Sequence, residues 1–179
     1  NYYSTKLALL QLRENQYEKA YKALNKVLKR MPGDERAKNG IFRIAKWYFD
    51  QEKYDKALEI YKKSQKRWPK YFNKKAEVKY LMGEIYFKDK DFDKARRYYF
   101  DYINLLPETP LAHKALNRIG DSFFIEGNDR AGLAIFDESV KRDIGGREAQ
   151  YGKLRLADIG IRNPNLQINN IVFDLDPYF

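Results

Sequence analysis

Apolar residues recur along this chain on a helical period. From Ala95 onward, Ala95, Tyr98, Tyr99, Tyr102, Ile103 and Leu106 fall at i, i+3, i+4, i+7, i+8 and i+11, which is one stripe of a 3.6-residue helix and not the alternation of a strand. Polar texts interrupt such stripes at short intervals. "REN", "FDQEK", "KDKD" and "IEGND" each separate two amphipathic stretches, so the pattern predicts pairs of antiparallel helices joined by tight turns.

The pairs repeat. "NQYEKAYKALNKVLKRMP", from Asn15 to Pro32, returns as "EKYDKALEIYKKSQKRWP" from Glu52 to Pro69. Ala20, Ala57, Ala95 and Gly132 hold equivalent places at intervals of 37, 38 and 37 residues. Twelve residues after the first three of them stand Pro32, Pro69 and Pro107, and the fourth unit reaches Ile144 and then Gly145-Gly146; both signals stop helices. Twelve residues before each stands another small residue, Ala8, Ala45, Gly83 or Gly120, with Tyr48, Tyr86 and Phe123 three residues further on in units two to four. One hairpin cannot bury its apolar stripe alone, whereas a stack of hairpins shares a continuous core. The predicted units are about 1–37, 38–75, 76–112 and 113–149, with a half unit at 150–163. Residues 164–179 form a tail, either extended or the start of a further unit, in which Phe173 and Leu175 alternate with Asp174 and Asp176. That alternation suits a strip lying extended in a basic, aromatic groove.

A helix pair with a small residue and an aromatic in its first helix, Tyr-x-x-Ala opening the second and Pro closing it, resembles the tetratricopeptide repeat. Units two and three carry the pattern most fully, in Tyr54, Ala57, Tyr61 and Pro69, then Phe92, Ala95, Tyr99 and Pro107. Unit four departs from it at Asp129 and Gly132 and lacks the closing proline, and unit one has Gln11 where an aromatic would stand. The resemblance implies an all-α fold, a right-handed superhelical solenoid of antiparallel helix hairpins. It also implies a concave groove lined by the first helices. Ligand-facing positions of the family fall on Phe42, Arg43 and Lys46 in unit two, on Tyr80 and Glu84 in unit three, on Lys114, Asn117, Arg118 and Asp121 in unit four, and on Tyr151 and Arg155 beyond. Such a lining suits a protein or peptide partner, because rings offer contact area and guanidinium forks pair with carboxylates. Of the five-residue clamp with which some members of the family hold a terminal carboxylate, Lys114 and Arg118 match two, while Phe42, Lys46 and Leu81 stand at the other three places. The junction text from Leu105 to Phe124 is similar to bacterial envelope members of the family, of the barrel-assembly lipoprotein and Tol-Pal-associated coordinator types. It implies a periplasmic or outer-membrane-associated protein, with the cytoplasm as the alternative.

Composition narrows the chemistry. A chain of 179 residues with 44% hydrophobic and 16% aromatic content can bury a core and reads as one folded domain. It opens without methionine and stops abruptly, which reads as a piece of a longer protein. It has no cysteine, and His113 is its one histidine, so neither a thiolate nor a histidine cluster is available for catalysis or zinc. Asp89, Asp91 and Asp93 lack the glycine and closing glutamate of a calcium loop. With no glycine-rich phosphate loop and no serine elbow, the expectation is a non-enzymatic scaffold that needs no cofactor, metal or small-molecule substrate. The charge of +10 is uneven: residues 1–75 hold 20 Lys and Arg against 8 Asp and Glu, a net +12. Lys62, Lys63, Lys66, Arg67 and Lys70 are expected to crowd a convex basic patch. The alternative function is therefore docking on an anionic surface, with an acidic protein or phospholipid ahead of nucleic acid.

Overall fold

The computed structural model describes residues 2–166; the acidic-aromatic alternation of the tail lies outside the described residues. Every regular element described is a helix: α1 (Tyr2–Arg13), α2 (Tyr17–Arg30), α3 (Glu35–Asp50), α4 (Tyr54–Arg67), α5 (Pro69–Asn73), α6 (Ala76–Lys88), α7 (Phe92–Leu105), α8 (Pro110–Ile125), α9 (Asp129–Arg142) and α10 (Arg147–Arg162). None is long and apolar enough to cross a membrane. The fold is all-α and built of helix hairpins, as the periodicity predicts. Its contacts divide the chain into two compact units, residues 1–81 and 82–179, where composition suggested one domain. Hairpins in a repeat touch mainly their sequence neighbours, so few contacts reach far along the chain.

The turn inside each hairpin has one backbone solution, used four times. Asn15, Glu52, Lys90 and Gly127 all have positive φ, between 57° and 78°, and each stands two residues before the second helix begins. The next amide, at Gln16, Lys53, Asp91 or Asn128, donates to the carbonyl five residues back, at 2.8–2.9 Å. This is a Schellman motif, which closes the last carbonyls of the first helix. Three of the four positions carry a side chain in a region that costs an L-residue about 1–2 kcal/mol.

In unit 1, α1 packs on α2, both pack on α3, α3 packs on α4, and α4 meets α5. Asp34 accepts from the amides of Arg36 and Ala37 at 3.0 and 3.1 Å, and Thr5 of α1 donates to its other oxygen at 2.8 Å. That N-cap satisfies free amides of α3 and ties α1 to it. The sequence reads Pro69 as a stop, and α4 does end at Arg67. Pro69 then opens α5 at its first turn, where the missing amide costs nothing. Phe72 of α5 is fully buried.

In unit 2, α7 packs on α8, α8 on α9, and α10 on both α8 and α9. Phe136, Leu156 and Ile159 form a buried nucleus, with Phe124, Leu133, Val140 and Tyr151 packed against it. The stripe predicted for α7 is buried at Ala95, Tyr99, Tyr102 and Ile103, but Leu106 lies past the helix end and is exposed. Small first-helix residues stand sixteen positions before large, fully buried ones: Ala8 before Leu24, Ala45 before Tyr61, Gly83 before Tyr99 and Gly120 before Phe136. At the two glycines the reason is direct. A Cβ on Gly83 would lie 2.7 Å from the Tyr99 ring, and one on Gly120 would lie 2.6 Å from the Phe136 ring.

Gly120→Ala is accordingly expected to cost about 1–3 kcal/mol by overpacking. Gly132→Ala is expected to gain about 0.5–1 kcal/mol, because its Cβ would meet Ile159 at 3.5 Å in ordinary contact and glycine is a poor helix former. Urea unfolding followed by circular dichroism checks both, and equal effects at the two sites would contradict this packing. By the same assay Lys90→Gly is expected to gain about 0.5–1 kcal/mol by relieving the left-handed turn.

Candidate functional site

In unit 2 the helices α8 and α10 bring Lys114, Asn117, Arg118, Asp121 and Tyr151 around one cavity of about 210 Å³, with Arg147 and Glu148 completing its wall. The α8 residues are spaced at three and four positions, so they share one face. Asp121 is 3% exposed, and a buried carboxylate must be paired. The Tyr151 hydroxyl lies 2.8 Å from each of its oxygens, Arg155 Nε donates to it at 2.9 Å, and Arg118 Nη1 stands 4.0 Å away. Arg118 also donates to Glu84 from Nε and Nη2 at 3.2 and 3.4 Å, and the Tyr99 hydroxyl donates to Glu84 at 2.7 Å. Burial, reinforced by the Asp121 acceptor, raises the Tyr151 pKa.

Both guanidiniums also lie over rings. Arg118 sits 5.1 Å from the Phe87 centroid and Arg155 sits 5.0 Å from that of Phe124. Cation and ring attract through the ring quadrupole, so each arginine is held by a carboxylate at its edge and an aromatic at its face. Asn117 is 2% exposed and donates to the Glu148 carbonyl and carboxylate at 2.9 and 3.0 Å, which fastens α8 to the start of α10. Lys114 and Arg147 are exposed at the rim and pair with no carboxylate among the described residues.

Unit 1 departs from the predicted lining. Phe42 is 7% exposed, with its ring stacked at 5.8 Å on Tyr71 and 6.2 Å from Phe72, so it is packed beneath α5 and presents no partner-facing surface. Tyr80 is buried as well. Lys46 is bound to Asp50 at 2.9 Å one turn along, while Arg43 is exposed. Of the expected basic patch, Lys63 pairs with Glu59. Arg67 donates to the Leu28 carbonyl at 2.9 Å and lies over Trp68, so it caps the end of α2. Lys62 and Lys66 are exposed on α4.

Lys70 belongs to a different place. It lines an open cleft of about 650 Å³ between the start of α3 and α5, together with Glu35, Lys38, Trp68, Pro69, Tyr71, Lys74 and Lys75. Lys38 and Lys75 lie 5.0 and 4.7 Å from the Tyr71 ring centroid. The Tyr71 hydroxyl and Lys75 Nζ both donate to the Asn39 Oδ1, at 2.7 and 2.8 Å. Sequence reasoning missed this cleft because it treated Pro69 only as a terminator; a proline followed by "KYFN" also reads as the first turn of a short helix. His113 stands 3.5 Å from Asp143 at the α8–α10 junction, and no cluster of three metal-ligating side chains occurs among the described residues.

Two family models described as tetratricopeptide repeat match the chain, one over residues 36–108 and one over residues 5–34, together more than half of it. The chain belongs to the tetratricopeptide-repeat family. Among solved structures, this tetratricopeptide-repeat chain is similar to YrrB, described as a TPR protein with an unusual peptide-binding site. That likeness has 18% identity and a TM-score of 0.65, and it covers 92% of this chain and 78% of that one. It is also similar to MamA from Desulfovibrio magneticus RS-1, at 16% identity and a TM-score of 0.63, covering 90% and 84%. Pseudomonas aeruginosa PilF is a further likeness, at 17% identity and a TM-score of 0.56, covering 90% and 68%. Such identities mark a shared fold. Comparison with curated proteins gave no match.

Tyr151→Phe keeps the ring against Phe136 and removes a donor from the buried Asp121 carboxylate. It is expected to lower stability by about 1.5–3 kcal/mol. Because the folded-state pKa of Tyr151 is raised, the wild-type contribution is complete below the ordinary value of about 10 and is lost as pH rises through the folded value. Thermal melts at pH 8 and pH 11 check both statements: the gap between wild type and variant should narrow at the higher pH.

Proposed function

We propose that the chain is a non-enzymatic interaction scaffold that holds an extended partner peptide across the α8–α10 face of unit 2. The observation that carries this reading is the pocket with two unpaired cations, Lys114 and Arg147, on its rim. Behind them the arginine–carboxylate–ring lattice around Asp121 holds the wall in one geometry, and a wall ordered before binding lowers the entropy cost of association. Lys114 and Arg118, the two positions that match the family's carboxylate clamp, line that pocket together. The peptide-binding description of YrrB supports the same class of partner. Arg118 and Arg155 already serve Glu84 and Asp121, so the partner's carboxylates are received by Lys114 and Arg147 and its apolar side chains by the rings.

The partner assembly proposed is a bacterial envelope one, on the junction text from Leu105 to Phe124 alone; immunodetection in periplasmic and cytoplasmic fractions of the native host tests that placement. A second reading, docking of the basic α4 surface on an anionic membrane or acidic protein, rests on exposed Lys62 and Lys66. Loss of two of the expected cations, Lys63 to Glu59 and Arg67 to the end of α2, weakens it.

The experiment is a pull-down with the native partner using Lys114→Glu/Arg147→Glu. Binding is expected to fall at least about tenfold, as like-charge contacts replace attractive ones, with the helical circular dichroism unchanged. Wild-type capture by this variant would remove the α8–α10 reading.

A further inference from the structure

The cleft of unit 1 has no role in the predicted lining or in the α8–α10 pocket. Four ammonium groups, those of Lys38, Lys70, Lys74 and Lys75, surround it, and none pairs with a carboxylate among the described residues. Glu35 is the one acidic residue in its wall. Like charges gathered without counterions destabilise a surface. Here the protein offsets two of them with rings in place of carboxylates. Lys38 and Lys75 lie against the Tyr71 ring, and Lys38 also lies 5.9 Å from the Trp68 centroid. The Tyr71 ring is itself fixed, stacked on Phe42 and tied through its hydroxyl to Asn39. The positive charge is thus positioned and left unneutralised.

We propose that this cleft binds an acidic peptide segment, one in which carboxylates alternate with apolar side chains. The inference rests on the reading of the chain as a peptide-binding scaffold, though not on the pocket assigned above. Charge complementarity selects an anion, and three features select a carboxylate-bearing peptide over a phosphate group. Phosphate is favoured by guanidinium forks, backbone-amide nests and open helix N-termini. The cations of the cleft wall are all ammonium groups, and α5, which starts there without a side-chain cap, has only 5 residues. The nearby start of α3 is already closed by the Asp34 carboxylate, and Glu35 adds a second negative charge there. Exposed Pro69 and half-buried Tyr71 supply apolar surface beside the cations, which suits side chains alternating with acids along an extended strand.

The test uses the whole chain and a fluorescein-labelled peptide of alternating Asp or Glu and Phe, followed by anisotropy. The wild type should bind it with an affinity that falls as salt rises. It should not bind the same peptide with Asn and Gln in place of the acids. Lys38→Gln/Lys70→Gln/Lys74→Gln/Lys75→Gln should weaken binding at least about tenfold, while the fourfold Lys→Arg variant keeps the charge and retains binding. Lys114→Glu/Arg147→Glu should bind this peptide as the wild type does. The inference is overturned if the glutamine variant keeps both its helical spectrum and its affinity, or if the arginine variant loses binding with the glutamine one. It is overturned equally if the four lysines retain inorganic tripolyphosphate or phosphatidylglycerol vesicles and not the peptide. Binding lost in the Lys114/Arg147 variant alone, or no binding of the peptide by the wild type, would remove the cleft and leave the scaffold reading to its own pull-down.

Discussion

Everything in this protein depends on how closely the two helices of a hairpin can approach. In units three and four the approach is set by a size rule: a first-helix glycine leaves room for a large residue sixteen positions later, and that large residue becomes fully buried. At Gly83 and Gly120 the room is occupied by the rings of Tyr99 and Phe136, so closely that one added carbon has no place. Interiors are packed like crystals and resist such insertions. These two hairpins are thereby closely packed, and what projects from them inherits that geometry.

The polar chemistry is built on these hairpins. Tyr99 shows the connection, since its ring lies against Gly83 while its hydroxyl donates to Glu84, which in turn receives Arg118. One side chain closes the core and begins the polar lattice of the α8–α10 face. The lattice alternates carboxylate, guanidinium and ring, so most of its charge is internally matched. Buried matched charges add little net stability but are costly to break. That network leaves Lys114 and Arg147 unpaired on its rim in unit 2, and in unit 1 the four lysines of the α5 cleft have no carboxylate partner among the described residues.

Much of the fold was legible in the sequence because periodicity and small-residue spacing are local consequences of helix geometry. The alanine and glycine ruler marks places of close approach, and the four polar texts mark Schellman turns whose left-handed residue keeps the same 37- and 38-residue spacing. The division of labour among side chains was less legible. Phe42 occupies a ligand-facing place in the family pattern, but the inserted α5 lays Tyr71 over it, and no stripe in α3 announces that cover. Arg67 reads as one more patch cation, although its guanidinium is bound to the end of a helix 39 residues earlier. Asp129, which replaces the aromatic expected in the unit-four turn, is buried and held by Arg162 and Asn163 of the last helix end. A guanidinium partner from 33 residues away leaves no trace in local pattern.

The size rule is open to direct observation by nuclear magnetic resonance. The α-protons of Gly83 and Gly120 should be shifted strongly upfield by the ring currents of Tyr99 and Phe136 and should show cross-relaxation to those ring protons. Glycine α-protons at ordinary shifts, without contact to either ring, would contradict the account at its base.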